Sequence, residues 1–345
     1  MIKLVKRFLV FSVGLVFILG VTFSYLAYRT LNSPVELSSS HMDFNIPSGS
    51  SFRRITERLY ARGVLDSPWP LMIYGRFSGK SAQLKAGEYR LDNGQTPLEI
   101  LARFIKGRSI QHAFTIVEGW SLKELLVALE QEEKLMHVLE VSPGSQLQQA
   151  LGFELESAEG LFFADTYHFS RSDTDLSLLK RAYVRMQKVL ADEWQKRPKG
   201  LPYKRQYEAL IMASIVEKET GLAEERAEIA GVFVRRIKKK MRLQTDPTVI
   251  YGLGESYNGN LTRKDLKTRT PYNTYVISGL PPTPIAMAGR EAIHASLHPK
   301  EGDSLYFVAK GNGSHYFSSS LKAHNNAVKK YQWKRRSDYR STPQR

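Results

Sequence analysis

The residues of this chain best suited to chemistry lie at the end of an apolar run. From Ala209 to Val216, within Tyr207 to Thr220, the sequence is nearly apolar all round, the pattern of a helix buried in a core. Leu210, Ala213, Ser214 and Glu217 stand at i, i+3, i+4 and i+7, so Glu217 continues a buried stripe into the last turn. With Gly221 as the expected C-cap, its carboxyl group meets apolar neighbours and the negative end of the helix dipole. Both favour the protonated form, the state a general acid requires. Against this stands the ordinary behaviour of a glutamate in a last helical turn, which is to face solvent. Other carboxylates are available at Glu159, Glu219 and Asp246. Asp246 follows Gln244 and Thr245 beyond a second helix, whose stripe is Ala230, Phe233, Val234 and Ile237. Pro247 is expected to keep that segment irregular, and a cap or turn suits Asp246 at least as well as catalysis.

The elements that position these residues read as an α+β chain. A long helix is expected from Leu176 to Gln195, followed by the loop Lys196 to Pro202 and then the helix of Glu217. Upstream, Ser121 with Glu124 three residues on forms a capping-box signature for a helix with the stripe Leu122, Leu125, Leu126 and Leu129. Residues 42–108 read as a small α/β module. It has a strand at Asp43 to Ile46, a helix capped near Ser50 or Ser51 with Ile55, Leu59 and Tyr60 on one side, and a strand at Gly87 to Leu91. A second helix from Thr96 has Pro97 in its first turn and the stripe Ile100, Leu101 and Phe104. No residue of this module demands chemistry.

Composition bounds the function. The 345 residues contain no cysteine, which excludes disulfides, thiolate metal sites and a cysteine nucleophile. His315, His324 and Asn325 have no metal-ligand spacing, so no metal and no cofactor is expected. From Phe8 to Tyr28 twenty-one residues carry no charge, after Lys3, Lys6 and Arg7. As a helix this run spans roughly 30 Å, the thickness of a bilayer core, and it exceeds the apolar core of a cleaved signal peptide. The upstream cations favour a cytoplasmic N-terminus, which places everything after Arg29 outside the inner membrane. That topology argues against nucleic acid as the partner of a chain with net charge +16. The densest basic clusters, Arg235 to Arg242 and Lys329 to Arg336, suit a solvated face near anionic lipid or wall polymer.

Several long motifs resemble those of the YceG-like endolytic murein transglycosylases, the MltG family. They are EGLFFADTY at 159–167, ASIVEKET at 213–220, MRLQTDPTVIYG at 241–252, YNTY at 272–275, GLPPTPI at 279–285 and HYFSSSLKAHNNAV at 315–328. One departure is Phe163 and Ala164, where a proline is expected close to the aspartate. The resemblance implies that Glu217 is catalytic and that 42–108 is LysM-like. It also implies a periplasmic enzyme that cuts nascent peptidoglycan strands beside the synthases, the penicillin-binding proteins. Gln244, Thr245, Asp246, Tyr272, Asn273, Thr274 and Tyr275 match family positions. The aromatic and amide groups of 272–275 suit a groove wall meeting sugar rings and N-acetyl groups, and equally a rigid structural loop.

The implied domain plan is a cytoplasmic tail (1–7), an anchor (8–28), a linker (29–41), the LysM-like module (42–108), a connector (109–155), a mixed α+β catalytic domain (156–332) and a basic tail (333–345). Glycosidases ordinarily use two carboxylates, whereas a lytic transglycosylase uses one as acid and then base. The competing readings are a hydrolase in which Asp246, Glu219 or Glu159 activates water, and a wall-binding scaffold without catalysis.

Overall fold

A computed structural model describes residues 2–140, 144–152, 157–171 and 173–332; the basic tail 333–345, with Lys334, Arg335 and Arg336, lies outside the described residues. The protein is mixed α+β and divides into two compact units. The first comprises the chain up to His112 together with 134–136 and 168–173, and the second holds the remainder.

In the first unit the elements are α1 (Ile2–Asn32), β1 (His41–Ile46), α2 (Phe52–Ala61), α3 (Trp69–Phe77), β2 (Gly87–Asp92) and α4 (Pro97–Lys106). Strands β1 and β2 pair antiparallel with Phe44 opposite Tyr89. Alternation along both strands turns Phe44, Ile46, Tyr89 and Leu91 inward, onto Ile55 and Leu59 of α2 and Ile100, Leu101 and Phe104 of α4. The Phe104 ring lies 5.9 Å from Phe44 and 4.8 Å from Tyr89, whose hydroxyl is satisfied by the Lys85 carbonyl at 2.7 Å. Thr96 and Glu99 form a reciprocal capping box at the start of α4, with Pro97 where its missing N–H costs nothing. Tyr60, expected on the buried side of α2, is exposed, because Ile55 and Leu59 already fill the inner stripe. Helix α3 has no periodic signal in the sequence, since Trp69 and Phe77 at its ends face outward. Gly75 lets it approach the Phe52 ring, which a β-carbon there would overlap.

Helix α1 exposes Phe11, Phe17, Leu19 and Phe23, and its 22 residues Phe11–Asn32 are long and apolar enough to cross a membrane. The segment 29–41 differs from the free linker expected of it. Residues up to Asn32 remain helical, and Leu31 and Val35 are buried in the core of the module. The Val35 N–H donates to the Gln95 carbonyl at 2.8 Å, and the Leu37 N–H donates to Asn93 Oδ1 at 2.8 Å. Two buried apolar side chains and these backbone bonds tie part of the expected linker to the module.

The second unit is mostly helical. Its elements are β3 (His112–Thr115, whose first residue belongs to the first unit), α5 (Leu122–Glu130), α6 (Gly144–Leu151), β4 (Thr166–Phe169, whose last two residues belong to the first unit), α7 (Asp175–Lys196) and α8 (Gln206–Glu219). They continue with α9 (Ala223–Lys238), α10 (Asp246–Leu253), α11 (Arg290–Leu297), β5 (Tyr306–Ala309), β6 (His315–Ser318) and α12 (Leu321–Gln332). Within 109–155, α5 and α6 belong to this unit.

Helix α8 is its centre, buried at every position from Ala209 to Val216 and packed by α7, α9, α10 and α11. Gly231 of α9 allows the Lys300 carbonyl to approach to where a β-carbon would lie only 2.5 Å away. Strands β5 and β6 form an antiparallel hairpin tied to α9 by Arg236, whose Nε donates to the Leu305 carbonyl at 2.7 Å. Pro247 does not keep its segment irregular. It occupies the first turn of α10, the one helical position where proline is well tolerated.

Candidate active site

The exit of α8 brings the chemistry together. Ser214 donates to the Ile211 carbonyl at 2.7 Å and accepts the Ile285 N–H at 3.0 Å. One turn on, Glu217 Oε2 accepts the Gly289 N–H at 3.0 Å. Two side chains spaced i, i+3 on α8 therefore hold the backbone of 285–289 along the helix. The other side of that segment is also fixed: Met287 donates to the Trp120 carbonyl at 2.7 Å, and Gly119 donates to the Met287 carbonyl at 2.8 Å. Lys218 Nζ reaches the Gly119 carbonyl at 3.1 Å. The Glu217 side chain is 4% exposed, and its Oε1 lies 3.5 Å from Arg226 Nη2 of α9. Arg226 also lies 3.9 Å from Glu118 Oε2. Glu217 is buried as its stripe position requires, but both of its oxygens face donors rather than apolar groups alone. The helix closes on Thr220, not Gly221: the Thr220 N–H bonds the Val216 carbonyl, and its hydroxyl accepts the Leu222 N–H at 3.0 Å.

Behind Glu217, on another face of α8, Glu219 lies against the 244–246 segment. Burial pushes its carboxyl up to about 7, opposed by a hydrogen bond from Thr245 Oγ1 and reinforced by the Asp246 charge. Asp246 is exposed and accepts the Tyr275 hydroxyl at 2.7 Å. Desolvation, then Asp246, raises the Tyr275 phenol well above its ordinary range. Thr245 and Thr274 are buried, joined by a Thr245 N–H to Thr274 Oγ1 bond of 3.1 Å, and Thr248 bonds Thr274 at 2.8 Å. Gln244 is exposed with a φ of 55°, a left-handed conformation held by its N–H on the Thr274 carbonyl and by Arg236 Nη1 on its Oε1.

Asn273 is 1% exposed. Its amide nitrogen donates to the carbonyls of Thr268 (2.7 Å), Asp265 (3.0 Å) and Leu266 (3.3 Å), while its Oδ1 accepts the Tyr275 N–H at 2.9 Å. An amide so fully used organises its own loop. Tyr272 is half-buried, its hydroxyl on Thr283 at 2.9 Å and its ring edge-on to Tyr251 at 4.7 Å. Of the seven residues that match family positions, then, Thr245, Asn273 and Thr274 are interior braces, whereas Gln244, Asp246, Tyr272 and Tyr275 keep exposed surface.

Glu159 is buried as well. Its oxygens accept the Leu122 N–H at 2.9 and 3.1 Å and the Tyr251 hydroxyl at 3.0 Å, so it caps α5. Burial outweighs these bonds and pushes it up to about 7. His315 is pinned by Glu225 at 2.7 Å, and His324 stacks on Tyr306 at 5.2 Å. Among the described residues one group has ligand atoms close enough for a metal, namely Glu193, His294 and His298. Arg290 already holds Glu193 Oε1 at 2.7 Å and His294 holds Oε2 at 2.8 Å, which accounts for the cluster as an ion-pair network.

Sequence reasoning missed Glu118, Arg226 and Gly289. Only tertiary folding unites them with Glu217, and no spacing rule connects a loop before α5, a helix and the residue before α11.

The YceG-like family model matches residues 44–330. The chain belongs to the YceG-like family. A curated relative, the endolytic murein transglycosylase of Bacillus subtilis, is 33% identical over 327 residues, covering 89% of this chain and 90% of its own length. A second, of the same name from Streptococcus pneumoniae, is 28% identical over 86% of this chain, which spans 59% of that longer protein. A crystal structure of a YceG-like protein from Listeria monocytogenes superposes with a TM-score of 0.51 at 29% identity, over 84% of this chain and 99% of that one.

Proposed function

We propose that this protein is an endolytic murein transglycosylase, cutting the bond between N-acetylmuramic acid and N-acetylglucosamine in peptidoglycan with Glu217 as its one acid and base. The observation that carries this reading is Glu217 itself. It is a buried carboxyl at the end of a buried helix, oriented by the Gly289 N–H and beside Arg226, in a chain of the YceG-like family. Glu217 donates its proton to the glycosidic oxygen as the C1–O bond breaks, and the bonding pair leaves with the N-acetylglucosamine 4-hydroxyl. The carboxylate then takes the proton of the muramyl C6 hydroxyl while that oxygen bonds C1, which leaves a 1,6-anhydro end and consumes no water. The two carboxyls that burial raises, Glu159 and Glu219, already have structural work, Glu159 as a helix cap and Glu219 under the 244–246 segment.

The finer assignments rest on the resemblance and on single features. Helix α1 anchors the protein in the inner membrane with its N-terminus in the cytoplasm, supported by the length of its apolar stretch and by Lys3, Lys6 and Arg7 in its first turns. The first unit's β1–α2–α3–β2–α4 module, residues 42–108, is LysM-like and holds glycan. Asp246, Tyr272, Tyr275 and Gln244 line the strand's path, and Thr245, Asn273 and Thr274 brace them. Cutting beside the synthases terminates nascent strands.

Digestion of uncrosslinked glycan in water labelled with heavy oxygen tests the reaction type. Anhydromuramyl ends without label support transglycosylation. Labelled reducing ends would replace it with hydrolysis and return Asp246, Glu219 and Glu159 to consideration.

A further inference from the structure

A general acid must carry its proton when substrate is bound, and a cation a few ångströms away works against that. Arg226 is such a cation. Its Nη2 is 3.5 Å from Glu217 Oε1 and 3.9 Å from Glu118 Oε2, and its Nε is buried with no hydrogen-bond partner. Charge-assisted N–H to carboxylate bonds close to about 2.7–2.9 Å. The guanidinium therefore lies between two carboxylates and has closed on neither. Among the described residues, five other charged groups on or beside α8 have partners of their own: Lys218 on the Gly119 carbonyl, Arg290 of α11 on Glu193, Glu225 of α9 on His315, Glu219 on Thr245 and Asp246 on Tyr275.

Glu118 is kept at this spot by a backbone feature. Its carboxyl group packs directly over Gly289, where a β-carbon would overlap it, and the N–H of the same glycine orients Glu217. Gly289 has a φ of −79°, which any residue adopts. Backbone conformation therefore does not require glycine there; the space taken by Glu118 does.

We propose that Arg226 passes between the two carboxylates during the reaction, closing on Glu118 while Glu217 carries its proton and returning to Glu217 once the proton has left. Glu118 and Arg226 are then positioning residues that act through Glu217, so the inference rests on the reading of Glu217 given above. The required travel is about 0.6–0.8 Å toward Glu217 and about 1.0–1.2 Å toward Glu118, judged by the excess of 3.5 and 3.9 Å over a closed bond.

The test is the pH profile of kcat/KM on uncrosslinked glycan strands, measured on the full chain in detergent. Wild type, Glu217→Gln, Glu118→Gln, Arg226→Met, Arg226→Lys, Gly289→Ala and the Glu118→Gln/Arg226→Met double variant are compared, with thermal melts as the control for folding. Without Glu118, Arg226 stays on Glu217, so the alkaline limb moves to lower pH by about one pH unit. Gly289→Ala reproduces that displacement by evicting the Glu118 carboxyl without removing its charge. Arg226→Met moves the limb to higher pH, and Arg226→Lys restores it toward wild type. In the Arg226→Met background, Glu118→Gln adds little, because Glu118 acts through Arg226. If Glu217→Gln is inactive but the limb stays in place in Glu118→Gln and Gly289→Ala, the shuttle is wrong and the acid assignment survives. Substantial activity in Glu217→Gln would remove both.

Discussion

Glu219 offers a way to separate a structural carboxyl from a catalytic one. Burial lifts it from about 4.5 to about 7. Below about 4.5 it is protonated in the folded and unfolded chain alike, and it costs nothing. As pH rises toward 7 the unfolded chain releases a proton that the folded chain keeps. The stability present at low pH is therefore lost progressively, and the loss is complete above about 7. At about 1.4 kcal/mol per pH unit the displacement is worth at most about 3 kcal/mol. Glu219→Gln retains the Oε1 acceptor that Thr245 uses and cannot ionise. It should melt at nearly the wild-type temperature at pH 4 and higher by up to about 6–12 °C at pH 8, for a unit of this size. The assay is paired thermal melts across pH 4 to 8, together with glycan cutting at pH 7. Activity should stay within about threefold of wild type, since no proton transfer is assigned to this group. A pH-independent difference between the two proteins would refute the burial argument. Loss of cutting in a well-folded Glu219→Gln would restore a second catalytic carboxylate.

Ser214→Ala removes the hydroxyl that receives the Ile285 N–H; it should cost about 1–3 kcal/mol by thermal melts and lower kcat more than KM, because segment 285–289 also orients Glu217. Arg236→Met leaves the carbonyls of Leu305, Leu243 and Arg242 without their donor, and it should cost about 2 kcal/mol or more in chemical denaturation. Because Leu31 and Val35 are part of the module's core, truncation after Ser40 should destabilise the first unit, whereas truncation after Tyr28 should not. Salt-washed membranes should retain the full chain, and release of a soluble form beginning near residue 28 would overturn the anchor.

Much of this fold was legible because it is local. The Ser121–Glu124 box and the Thr96–Pro97 pair each mark a helix start within a few residues, and α8 announces itself by having no polar side from Ala209 to Val216. The burial of Glu217 was legible for the same reason, since it closes a stripe. What escaped depends on contacts distant in sequence. Helix α3 carries its apolar residues outward as well as inward, so no periodicity marks it. Segment 29–41 looks like a tether until Leu31 and Val35 meet the module's core. Pro247 reads as a breaker unless the helix begins one residue before it. Asn273 has the composition of a ligand-binding amide, and only the four bonds of its side chain reveal it as a brace. Glu118 and Arg226 are ordinary surface charges in the sequence, and Gly289 is an ordinary glycine before a helix. Their meeting at Glu217 belongs to the tertiary structure alone.

The central claim is that one glutamate supplies both the acid and the base. Its most direct test is Glu217→Gln, which keeps the size of the side chain and the Gly289 bond but holds no transferable carboxyl proton. Mass analysis of products from uncrosslinked strands should show anhydromuramyl ends with the wild type, and a loss of at least about 10²-fold in their formation with a variant that melts no lower. Substantial anhydromuramyl product from a folded Glu217→Gln would contradict the one-acid mechanism.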